Sequence, residues 1–178
     1  SKLLKNKGSI SSCIIEPIQC TAGDLYLNKE KLLEVQEIYN RNDICFIVDE
    51  IQTGMGVTGT YWHYIQQELS PDIVVFGKKS QISGINVNDK FSEALKSPYR
   101  KLEVTFDGDL IDAHRGNYIL KAIRDHDLLN NIKRNSEIFR KQLSSKFKNY
   151  RSHNNPYKLK NKFNSIPQDI IKKFKRTD

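Results

Sequence analysis

The sequence predicts an α/β fold built on a mostly parallel sheet. Three observations carry that expectation. Ile44–Val48 (ICFIV) and Ile73–Phe76 (IVVF) are continuous apolar runs, the signature of strands covered on both faces rather than on one. Each run ends in a charged residue, Asp49-Glu50 after the first and Lys78 after Gly77 in the second. Between and before them lie segments with helical spacing, so strand and helix alternate along the chain.

Taken in order, Ser12–Ile15 reads as a short strand ending at Glu16-Pro17, and Gln19–Leu27 as a loop. Asn28 is placed to cap a helix over Lys29–Asn40, with Glu30 in its first turn and Leu32, Val35 and Tyr39 on one face. Arg41-Asn42-Asp43 turns the chain into Ile44–Val48. Gly54, Gly56 and Gly59 break any helical run and predict a loop. Thr60–Glu68 is the next expected helix, and Ser70-Pro71-Asp72 leads into Ile73–Phe76. Gln81–Glu103 carries a weaker pattern, with a short strand near Ile85–Val87. Leu110–Asp125 predicts a helix with Ala113, Gly116, Leu120 and Ile123 as its seam. Leu128–Phe147 predicts another, facing inward through Leu128, Ile132, Phe139, Leu143 and Phe147. No internal repeat is present.

At 178 residues the chain is long enough for one domain with its own core. No stretch approaches the ~20 apolar residues of a membrane span, and Ser1–Ser12 lacks the apolar segment of a signal peptide. Cys13, Cys20 and Cys45 lack metal-site spacing, and the four histidines lack ligand spacing. Free, buried thiols in a cytoplasmic setting are expected, and no metal. The net charge of +8 suggests nucleic acid until its distribution is considered. Residues 151–178 hold eight Lys/Arg against two Asp, so most of the excess sits in the tail and the body is nearly neutral. The boundary is drawn accordingly: residues 1–149 as part of a large domain, residues 150–178 as a basic tail with too little apolar surface to offset the entropy of ordering.

Ligands of open α/β sheets bind beyond the carboxyl ends of the strands. Asp49 and Lys78 are therefore expected in one crevice. A carboxylate and an amine so placed suit pyridoxal phosphate: the lysine forms the Schiff base, and the acid keeps the pyridine nitrogen protonated so that the ring accepts electrons. A lysine in a partly desolvated pocket is also a better nucleophile and proton carrier. Asp-Glu after an apolar strand also fits the metal-binding strand of P-loop nucleotide hydrolases. That reading needs an upstream G-x-x-x-x-G-K-[ST] loop, absent from this sequence, and leaves Lys78 unexplained. Lys79 competes with Lys78 for the same role. Counting forward from Asp49 favours Lys78, counting back from Gly84 slightly favours Lys79, and Lys78 is preferred.

Glu16-Pro17-Ile18-Gln19, Val48–Gly54 (VDEIQTG), Thr58-Gly59 and Pro71–Lys78 (PDIVVFGK) together resemble the class III, or ω-, aminotransferases, over about Ile10 to Phe147. Lys78–Gly84 (KKSQISG) is most similar to the lysine 6-aminotransferase branch, with 4-aminobutyrate aminotransferases next. Lys78 lies 29 residues after Asp49, the usual family interval. The resemblance implies a partial three-layer α/β/α large domain of the fold type I class, pyridoxal phosphate as cofactor, and a homodimer. It implies transfer of a terminal amine, such as the lysine 6-amino group, to 2-oxoglutarate. It also implies that Gln52 hydrogen-bonds the ring's 3′ oxygen, that Thr105 reaches the cofactor phosphate of the neighbouring subunit, and that Glu16 lies beside the cofactor.

The departures from that pattern set further expectations. Thr21 stands where the lysine and 4-aminobutyrate branches carry a switching glutamate. The family's upstream phosphate loop and stacking aromatic, and its downstream arginine-bearing domain, have no counterpart in these 178 residues. An internal fragment with a divergent tail is expected, inactive alone. The alternative is a non-catalytic remnant whose basic tail binds acidic partners.

Overall fold

A computed structural model describes residues 10–91 and 108–146, together with Glu93 and Lys96. Ser1–Ser9, Thr105, Phe147 and the tail from Tyr150 lie outside the described residues. Among the described residues, β1 (Ser12–Ile15), β4 (Cys45–Asp49), β5 (Ile73–Phe76) and β6 (Gly84–Val87) form one sheet in the order β1-β4-β5-β6. The first three are parallel and β6 runs antiparallel to β5, so the sheet is mostly parallel, as the apolar runs implied. The helices are α1 (Lys29–Arg41), α2 (His63–Gln66), α3 (Leu110–Asp125) and α4 (Leu128–Lys146). None is long and apolar enough to cross a membrane.

Helix α1 begins where its cap dictates. Asn28 is extended (φ −71°, ψ 131°) and its side chain accepts from the Lys31 amide at 3.0 Å. The helix ends at Asn42, and Asp43 takes a left-handed φ of 54° to turn the chain into β4. Leu32 and Tyr39 then face the sheet and close a core with Ile44, Phe46, Val48 and Leu69. Phe46 and Val48 are fully buried, and the rings of Tyr39 and Phe46 meet at 5.6 Å with a 50° tilt.

The opposite face of the sheet is thinner. Residues alternate along β4, so Ile47 and Asp49 point away from α1. Their registered neighbours, Ile14 on β1 and Ile73 and Val75 on β5, share that face. Ile14 is 59% exposed and Ile85, paired with Val75, is 39% exposed.

Five expectations are corrected. Gln19–Leu27 is not a plain loop: β2 (Ile18–Gln19) pairs antiparallel with β3 (Leu25–Tyr26), because Gly23 and Asp24 both take positive φ and fold the chain back on itself. The Thr60–Glu68 helix shrinks to His63–Gln66. Thr60 is held outside it by its hydroxyl, which donates to the Trp62 carbonyl, and Glu68 has a φ of 56°. The seam of α3 is rotated: Gly116 and Ile123 are buried, whereas Leu120 is 44% exposed and Ala113 is exposed. On α4, Phe139 is 46% exposed rather than inward. The cysteines are free, as expected, but half-buried rather than buried.

Cys13 and Tyr39 supply a pH prediction. The Tyr39 hydroxyl donates to the Cys13 Sγ at 3.0 Å, and burial, with that bond second, pushes its pKa up to about 12. A phenol whose folded pKa exceeds its unfolded value near 10 stabilises the fold fully below pH 10. That contribution is lost as pH climbs through the window up to about 12. Denaturant midpoints measured across this window should fall with pH. Tyr39→Phe should flatten the fall; an equal slope in that variant would assign the effect to another group.

Candidate active site

The carboxyl ends of β1, β4 and β5 converge on one edge, and the chain places an ionisable group at each. Glu16 follows β1, Asp49 ends β4, and Lys78 stands two residues beyond β5. Asp49 is in register with Val75, and the Glu50 amide continues the ladder by donating to the Val75 carbonyl at 2.9 Å. Lys78 is therefore three residues past the partner of Asp49 on the adjacent strand.

Asp49 is half-buried. One of its oxygens accepts from the Ile51 amide at 2.9 Å, which orients the carboxylate as the chain leaves the strand. The other accepts no hydrogen bond from the described residues. Lys78 and Lys79 are both exposed, so the desolvation expected of Lys78 is not supplied by the described residues. Gln52 is half-buried on the turn after Asp49, Glu16 is half-buried, and Thr21 is exposed. Thr105 falls outside the described residues.

Cys20 links the two ends of this edge. Burial raises its thiol pKa; the charges of Asp24 and Glu16 push the same way, while Lys78 and Lys79 oppose them. The segment leaving β2 thus lies within electrostatic reach of both Glu16 and the lysine pair. The strand-end edge thus carries two acids, Glu16 and Asp49, and two amines, Lys78 and Lys79.

Two groups missed by sequence reasoning hold this edge in shape. Glu50 is 1% exposed and its carboxyl accepts twice: from the Thr53 hydroxyl at 2.5 Å and from the Tyr64 amide at 2.7 Å. Its own carbonyl accepts from the Gly54 amide at 2.8 Å. Gly54 cannot carry a side chain, because a Cβ there would sit 2.8 Å from both that carbonyl and the Trp62 ring. The loop bearing Gln52 is thereby tied to β4 and to the start of α2. Ser80 is the other, 1% exposed in the turn that carries both lysines. The Asp-Glu pair at a strand end was a visible signal for Glu50; nothing in the sequence marked Ser80.

The donor set fits pyridoxal phosphate. A carboxylate with a free oxygen and an accessible primary amine stand on neighbouring strand ends, the pairing needed for a ring nitrogen at one end and an aldehyde at the other.

Comparison with known proteins gives a consistent result. Residues 2–155 match the family described as aminotransferase class-III. The L-lysine-epsilon aminotransferase of Amycolatopsis lactamdurans is 34% identical over 141 residues, covering 78% of this chain and 31% of that protein. The 4-aminobutyrate aminotransferase of Schizosaccharomyces pombe is 42% identical over 126 residues, covering 70% of this chain and 26% of that protein. Among solved structures, lysine aminotransferase from M. tuberculosis superposes with a TM-score of 0.73 at 31% identity, over 82% of this chain and 35% of that one. The chain thus spans about a third or less of the length of these relatives.

Proposed function

The chain belongs to the class III aminotransferases, and from that footing we propose that it carries the cofactor-attachment core for transfer of a terminal amino group. The donor proposed is the 6-amino group of lysine, by similarity to the L-lysine-epsilon aminotransferases, and the acceptor is 2-oxoglutarate. One observation supports the reading: Asp49 ends β4 in register with Val75 of the adjacent parallel strand β5, and Lys78 follows that strand by two residues.

Pyridoxal phosphate, when bound, supplies an aldehyde for amine exchange and a ring that accepts an electron pair from the substrate carbon. The chain's own residues supply the rest. Lys78 holds the cofactor through its Nζ, yields that position to the substrate amine, and then carries a proton at Nζ. Asp49 holds a proton at the ring nitrogen through its free oxygen. Gln52 donates to the ring oxygen, Glu16 borders the ring, and Thr105 reaches the phosphate of a neighbouring subunit. The assembly proposed is a cytoplasmic homodimer, with residues 1–149 in the cofactor domain and residues 150–178 as a separate basic tail.

The test is spectroscopic. Pyridoxal phosphate added to the purified chain should give an absorbance band well to the red of protein absorbance. Borohydride should bleach that band and fix the cofactor on Lys78, read by peptide mass. Lys78→Ala should remove the label at that position and weaken the band. A chain that shows no band and no fixed cofactor would instead be a non-catalytic remnant.

A further inference from the structure

We propose that Ser80 is a positioning residue that selects Lys78 over Lys79 as the amine presented to the cofactor. This rests on the reading of Lys78 given above and adds the device that makes the choice.

Adjacent lysines have the same chemistry and, here, the same exposed character. What separates them is backbone geometry. The Ser80 amide donates to the Gly77 carbonyl at 3.0 Å, closing a four-residue turn with Lys78 and Lys79 as its two corners. Corner residues of a turn project in different directions, so the register of the turn decides which amine faces Asp49. A shift by one residue would exchange them.

That register is pinned by the Ser80 side chain. Its hydroxyl lies 2.6 Å from the Gly77 carbonyl on one side of the turn and 2.6 Å from the Ile82 carbonyl on the other. A single hydroxyl proton serves either acceptor, and both carbonyls are held at the same buried point. Two further features brace the turn from outside. Gln81 takes a left-handed φ of 58° and its side-chain Nε2 donates to the Lys78 carbonyl at 3.3 Å. Helix α3 presents Gly116, where an added Cβ would come within 2.7 Å of the Ile82 Cγ2, so the helix backbone presses directly on the turn. Among the described residues, Ser80 is the polar side chain whose contacts bridge the residues before and after the lysine pair.

The readout is the ratio of labelling at the two lysines. Each amine condenses with the aldehyde of pyridoxal phosphate, losing water. Borohydride then delivers hydride to the carbon of the C=N bond, a solvent proton goes to nitrogen, and a stable secondary amine remains. The full chain, incubated with substoichiometric pyridoxal phosphate and reduced, should carry the label on Lys78 in preference to Lys79 by mass-spectrometric fragmentation. Ser80→Ala should lower the Lys78:Lys79 ratio by about three- to tenfold, the factor one such hydrogen bond is worth. Ser80→Thr, which keeps the hydroxyl, should restore it. Gln81→Gly, which suits the positive φ and so leaves the fold intact, should lower the ratio in the same direction. A general structural role would depress labelling of both lysines together, alongside the melting temperature, without moving the ratio. An unchanged ratio in folded Ser80→Ala, or in Gln81→Gly if the first variant does not fold, overturns the proposal and leaves the assignment of Lys78 standing. Absence of label from both lysines in the parent chain overturns that assignment and this proposal with it.

Discussion

Phe46→Ala is expected to cost about 3–5 kcal/mol. The ring is completely buried at the centre of the cluster formed by Leu32, Tyr39, Ile44, Val48 and Leu69. Its removal takes away both the transfer free energy of the side chain and the packing of the Tyr39 ring 5.6 Å away. Relaxation is restricted, because the Phe46 amide is fixed by the Asp72 carboxylate at 2.8 Å and its carbonyl by the Asp72 amide at 2.8 Å. The backbone cannot slide into the void. Small domains hold only about 5–15 kcal/mol in total, so the variant should lose roughly a fifth or more of its stability. Urea unfolding followed by circular dichroism measures this. A loss below about 1 kcal/mol would mean that α1 does not pack on β4 as described.

Glu50→Ala should destabilise by about 2–4 kcal/mol, through two donors left without an acceptor. Thr53 is 3% exposed and the Tyr64 amide sits at the first turn of α2, so neither is freely compensated by water. Burying a carboxylate is itself costly, and replacing it with an apolar group recovers some of that cost. The two orphaned donors outweigh the recovery because each bond is charge-assisted and short. Glu50→Gln keeps one carbonyl oxygen and should lose roughly half as much. Beyond stability, the substitution frees the Gln52 loop from its anchor, so Glu50→Ala should also show faster amide exchange over residues 51–56 than Phe46→Ala at matched stability. Equal exchange in the two variants would remove Glu50 from any role at the site.

The parts of the fold that were legible in the sequence are those where local chemistry and tertiary context agree. Asn28 caps α1 as read, since an Asn before a helical pattern has few better uses. The apolar runs became parallel strands because four or five consecutive apolar side chains, too few for a buried helix, are best accommodated by a strand covered on both faces. The strand-end positions of Asp49 and Lys78 were legible because they follow directly from the bounds of those strands. The errors lie where a turn decides the outcome. Gly23-Asp24 made a hairpin of an expected loop, and Glu68 cut short an expected helix by entering the left-handed region. Residues other than glycine at positive φ, Met55 and Gln81 among them, leave no composition signal. Ser80 escaped notice for the same reason: its importance lies in two carbonyls that only the folded turn brings to it.

The half-covered face of the sheet ties the chemistry of this chain to whatever rests upon it. Asp49 shares that face with Ile14, Ile47 and Val75, and Ile14 and Ile85 leave aliphatic surface in water on either flank. A surface that packs there gains hydrophobic free energy and, in the same act, strips solvent from the carboxylate at the face's edge. If Asp49 holds the proposed cofactor, occupancy of that site and occupancy of the face are thermodynamically linked. Whatever factor a packed neighbour adds to cofactor affinity, bound cofactor must return to the affinity for that neighbour.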